Sequence, residues 1–65
     1  MPKTEEYKYT IDYRGWSEEE EFRSQSFKTM LGAKAFFDFV SEDPDIQETF
    51  LWDNETMKII RRSIK

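Results

Sequence analysis

Cysteine and histidine are both absent from this chain of 65 residues. Without thiolate or imidazole ligands, the usual zinc, haem and iron–sulfur sites are excluded, and no disulfide can brace the fold. The same absence removes the commonest general base and the best nucleophile. Glycine occurs twice, as Gly15 and Gly32, which is too little for a phosphate-cradling loop. No apolar run approaches the roughly 18 residues that a membrane-spanning helix needs. Met1–Glu6 holds no apolar stretch of the kind a signal peptide carries, so the cytoplasm is the expected compartment. Basic charge is in the minority: the net charge is −4 and the pI is near 4.7. That balance argues against direct contact with nucleic acid and against an anionic membrane surface. Asp53-Asn54-Glu55 looks like a fragment of a calcium loop but lacks the following glycine and the distal glutamate. No enzymatic activity, metal or cofactor is expected.

What the chain has instead is aromatic bulk: six Phe, three Tyr and two Trp. Each such ring buries on the order of 150–250 Å², so a few of them can build a core in a short chain. The length allows one domain, residues 1–65, with residues 1–4 as a loose end. A domain of this size buries only about 60% of the surface its unfolded chain exposes, so its stability is modest.

Tyr7, Tyr9, Ile11 and Tyr13 alternate with Lys8, Thr10, Asp12 and Arg14, the period of a half-buried strand. Gly15 marks a turn. A second strand is expected over Glu18 to about Ser26. Its two rings, Phe22 and Phe27, are out of phase by one, which implies either a bulge or that Phe27 belongs to the approach to a helix. From Thr29 the period changes. Met30, Ala33, Phe36, Phe37 and Val40 share one face of a helical wheel, with Phe39 at its margin. Thr29 can cap this helix and Pro44 stops it. Ile46–Trp52 reads as a central strand, apolar on both faces. Asp53–Thr56 reads as a turn and Met57–Ile64 as a fourth strand.

The element order is therefore ββαββ. The fold class is α+β: a four-stranded antiparallel sheet with one helix packed on one face. If the helix returns over the sheet between two hairpins, strand one lies between strands two and three, and the spatial order is 2-1-3-4. Strands two and four, rich in charge, then take the edges.

Three groups of residues are candidates for function. Glu18, Glu19, Glu20 and Glu21 form an acidic run that is expected on the second strand. There it either keeps an edge from pairing with other edges or meets a basic partner. Lys58, Arg61, Arg62 and Lys65 give the last strand the opposite sign. Arg61 and Arg62 are adjacent, so on a strand they point to opposite faces and cannot grip one anion together. Finally, a sheet covered by one helix keeps an open face. Trp16 sits at a turn, and either Leu51 or its neighbour Trp52 must point away from the helix, where a large ring is a typical anchor for a partner. The expected function is a non-enzymatic protein–protein interaction module, an adaptor or inhibitor, acting through Trp16, Glu18, Glu19, Glu20, Glu21, Leu51 and Trp52. The open face also suits a homodimer. The alternative is an acidic mimic of nucleic acid that occupies a basic site on another protein. Small phage and mobile-element inhibitors of host proteins have this size and charge, an analogy with no shared motif.

Overall fold

The computed structural model describes residues 7–65. The loose end expected over residues 1–4 lies outside them. The elements are β1 (Tyr9–Gly15), β2 (Arg23–Phe27), α1 (Met30–Ser41), β3 (Ile46–Asp53) and β4 (Lys58–Ile64). The strands form one antiparallel sheet in the order β2-β1-β3-β4, and α1 packs against it. The fold is thus α+β with the anticipated strand order.

Alternation along β1 sets the two faces. Tyr9, Ile11 and Tyr13 point to the helix side, while Thr10, Asp12 and Arg14 point away from it. Ile11, Leu51, Ala33 and Phe37 form the buried cluster, ringed by Tyr9, Tyr13, Phe27 and Phe36. Tyr13 and Phe36 pack in an edge-type arrangement at a centroid distance of 5.8 Å, and Phe27 lies 5.2 Å from the Phe36 ring. The helix lies over the two central strands, β1 and β3. It starts where the Thr29 hydroxyl accepts the Gly32 N–H at 3.1 Å, and it ends as the Glu42 N–H reaches the Asp38 carbonyl. Gly32 is close to Thr29 as well: a Cβ there would stand 3.3 Å from the same hydroxyl.

Several expectations need correction. The second strand is shorter than expected, and Glu18–Glu21 are outside it, in the loop between β1 and β2. Four adjacent like charges disfavour an extended ladder, and one of them has a local alternative. The Glu20 carboxylate accepts the Gly15 N–H at 3.0 Å, and the Glu20 N–H bonds the Ser17 carbonyl at 3.1 Å, so the chain turns here. Gly15 is therefore the last residue of β1 rather than part of the turn, and its φ is not positive. Its missing Cβ leaves space for the Glu20 carboxylate, which a Cβ would meet at 2.6 Å. The edge strand β2 carries a single charge, Arg23, so heavy charge does not account for its edge position. No bulge separates Phe22 from Phe27. They are out of phase because they serve opposite faces: Phe27 packs on Phe36, and Phe22 packs on Phe50. The irregularities fall elsewhere, beside Gly15 and opposite Leu51/Trp52, where Ile60 is the extra residue of β4.

Candidate functional site

β3 decides what the open face presents. Its odd-numbered residues, Thr49 and Leu51, are buried under the helix, so Phe50 and Trp52 point the other way. Leu51 is only 2% exposed and belongs to the core. As a partner-binding candidate it is excluded, and Trp52 is the outward member of the pair.

Strand register sorts the open face into rows. One row runs Ser24, Asp12, Phe50, Arg62 across all four strands. The next runs Ser26, Thr10, Trp52, Ile59. A third holds Arg14, Glu48 and Ile64. Phe22, just before β2, keeps that strand's outward phase and lies 6.0 Å from Phe50, ring centre to ring centre. The result is an apolar band of Phe22, Phe50, Trp52, Ile59 and Ile64, with Phe22, Ile59 and Ile64 largely exposed. Among the described residues no element covers it.

Most of the polar groups within the band are tied down. Arg14 donates from Nε and Nη2 to the Glu48 carboxylate, and both side chains are mostly buried. The Arg14 guanidinium also lies over the Phe22 ring, 4.6 Å from its centre, so one cation braces the carboxylate and the ring together. Asp12 accepts a hydrogen bond from the Ser24 hydroxyl. Arg62 is exposed and forms no ion pair among the described residues. Arg61 behaves differently: it points to the helix side, 3.7 Å from Asp38 and over the Phe37 ring. The two arginines do face opposite ways. At its lower end the open face runs into a hollow of about 720 Å³, lined by Tyr7, Thr10, Ser26, Asn54 and Met57. Asn54 holds the floor of this hollow by donating to the Thr10 hydroxyl at 2.8 Å and to the Tyr7 carbonyl at 2.9 Å.

The remaining candidates sit at one pole. The Trp16 indole N–H donates to the Pro44 carbonyl at 2.8 Å, which fastens the β1–β2 loop to the α1–β3 loop. Trp16 is therefore a tie between loops as well as an exposed ring, and it is not part of the open face. The tie brings Glu18–Glu21 to the same end as Glu42, Asp43 and Asp45. Glu20, Asp43 and Asp45 line one hollow with Arg14 and Arg23. Among the described residues no group of three or more acids is placed to hold a metal ion.

Two surfaces are not legible in the local sequence pattern. Phe22 and Phe50 belong to the open face, and their partnership needed the register of β1 and β3. Leu31 and Phe39 are 81% and 74% exposed on the outer side of α1, an i, i+8 pair on the face away from the sheet. No helix among the described residues is long and apolar enough to cross a membrane. No family model, curated protein or solved structure matches this chain.

Proposed function

We propose that this chain is a non-enzymatic protein–protein interaction module that binds through the open face of its sheet. The observation that carries the reading is the uncovered band of Phe22, Phe50, Trp52, Ile59 and Ile64, in which the Arg14–Glu48 pair braces Phe22. Rigid aromatic side chains on a preformed surface are the usual anchors of an interface, because they bury large area with little loss of conformational freedom. The test is to capture partners from nuclease-treated lysate of the source cells with the wild type and with a Phe50→Ser/Trp52→Ser variant of verified fold. Proteins held by the first and lost by the second are expected. The same set retained by both would sink the reading.

A second reading has its own observation, the acidic pole. Glu20, Asp43 and Asp45 line one hollow with Arg14 and Arg23 near the Trp16–Pro44 bond, and Glu18, Glu19, Glu21 and Glu42 are their exposed neighbours along the chain. Such a surface suits a partner with a basic patch, including one that otherwise binds nucleic acid. Binding of this kind weakens steeply with added salt, because it replaces phosphate contacts with carboxylates. Binding through the open face weakens little. Titration of any captured partner at low and moderate salt separates the two.

A further inference from the structure

Resting on the open-face reading, we propose that the occupant of that face is a second copy of this chain, related by a two-fold axis that runs along β3. In this arrangement Asp12 of each copy meets Arg62 of the other. The two residues are the cross-strand neighbours of Phe50: Asp12 on the β1 side and Arg62 on the β4 side. One is anionic and the other cationic, so the face is antisymmetric in charge about β3. Rotating a copy by half a turn about β3 lays β1 over β4 and β4 over β1. Each Asp12 then falls on an Arg62, twice over, while Phe50 and Trp52 stack at the axis. The other in-plane axis, across the strands, sets Asp12 on Asp12 and Arg62 on Arg62, which like-charge repulsion disfavours.

The charge of the face fits the same occupant. Asp12 and Glu48 balance Arg14 and Arg62, although the whole chain carries −4. The excess acid lies elsewhere, largely at the pole, so two copies can approach face to face without its repulsion. Glu48 also stands on β3 and meets its own copy at the axis, but each Glu48 is already neutralised by the Arg14 of its own chain. Pairing through the edge of β4 is less favourable, because Lys58, Arg61, Arg62 and Lys65 would oppose themselves. Four strands at about 4.8 Å spacing give a face roughly 20 Å wide, and strands of seven residues make it roughly 23 Å long, so its flat area of about 450 Å² is below the ~800 Å² per partner of a standard interface. The dimer is therefore reversible and depends on concentration.

Sedimentation equilibrium over a wide concentration range tests this with four variants. Asp12→Arg and Arg62→Asp are each expected to raise the dimer dissociation constant by at least about tenfold, since each strikes two symmetry-related pairs. The double variant Asp12→Arg/Arg62→Asp restores it. Arg61→Ser, on the helix side, leaves it unchanged. Circular dichroism confirms that all four remain folded. Single swaps without effect, or a double variant no better than the singles, would overturn the axis. A chain that stays monomeric throughout overturns the second copy as occupant. In that event, loss of captured proteins by Phe50→Ser/Trp52→Ser keeps the open-face reading, and unchanged capture removes both. Binding of a labelled single-stranded oligonucleotide that requires Trp52 would also overturn both.

Discussion

The two faces of the sheet carry comparable apolar bulk and use it differently. On the covered face, Tyr9, Ile11, Tyr13, Phe27 and Leu51 meet Ala33, Phe36 and Phe37 of the helix, with Phe36 edge-on to Tyr13 and tilted against Phe27. On the open face, Phe22, Phe50, Trp52, Ile59 and Ile64 have no facing layer, and charged residues stand among them. Charge at the centre of the covered face would be desolvated at a cost of several kcal/mol. On the open face it stays partly hydrated, and the Arg14–Glu48 pair even organises the surface by holding Phe22. A small domain can thus stabilise itself with one face and hold the other in a defined shape for a partner.

The largest expected effect contrasts the faces directly. Phe37→Ala or Ile11→Ala removes a fully buried side chain and is expected to cost roughly 3–5 kcal/mol, comparable with everything one small core supplies. Urea denaturation should find these variants largely unfolded. Phe50→Ala and Trp52→Ala remove half-buried rings and are expected to cost only about 1–2 kcal/mol. If Trp52→Ala unfolds the protein as Phe37→Ala does, the open face is a second core and the distinction fails.

A smaller effect sharpens the account of the open face. Glu48→Gln leaves the Arg14 cation without its counter-charge in a mostly buried position and is expected to cost about 1–2 kcal/mol. Because Arg14 also covers Phe22, the Phe22 ring resonances should shift in the same variant. Unchanged Phe22 signals would mean that the ring is held by Phe50 alone.

At the acidic pole the four glutamates should separate into one and three. Glu20→Ala loses the bond to the Gly15 N–H and is expected to cost about 1 kcal/mol. Glu18→Gln, Glu19→Gln and Glu21→Gln should each stay within ~0.5 kcal/mol, as ordinary surface changes do. Equal effects at all four positions, read by thermal denaturation, would remove the structural role given to Glu20.

A small effect of the opposite sign belongs to the β3–β4 turn. Met57, in the β3–β4 turn, has φ 57°, where a side chain with a Cβ is strained. Met57→Gly relieves that strain but frees the unfolded chain, so the expected net gain is at most about 1 kcal/mol, with both faces unaffected. A loss of stability would mean that the Met57 side chain packs against the hollow it lines.

Much of the fold could be read from local patterns. The alternation of Tyr9, Ile11 and Tyr13, the helical period from Met30 to Val40 and the Thr29 cap are properties of neighbouring residues, and the structure keeps all of them. Two hairpins and one helix then leave few ways to connect the strands, so the order β2-β1-β3-β4 followed. The candidate site was less legible. Glu18–Glu21 look extended in a one-dimensional pattern, and only the bond from Glu20 back to Gly15 shows why the chain turns there.

Composition and periodicity by themselves determined the α+β class, the elements, the centre of the helix's buried face at Ala33, Phe37 and Val40, though not the exposure of Met30 and Phe39, and the absence of thiol and imidazole chemistry. They could not determine which way β3 and β4 face. Phe50-Leu51-Trp52 is apolar without interruption, so alternation offers no phase. Ile60 is an extra residue in β4, and one inserted residue reverses the phase of a strand relative to its partner. Tertiary structure therefore decided that Leu51 is core and Trp52 surface, and that Arg61 meets the helix while Arg62 stands beside Phe50 on the open face. The reason is that a strand's facing is set by cross-strand register, a long-range property that no local run of residues contains.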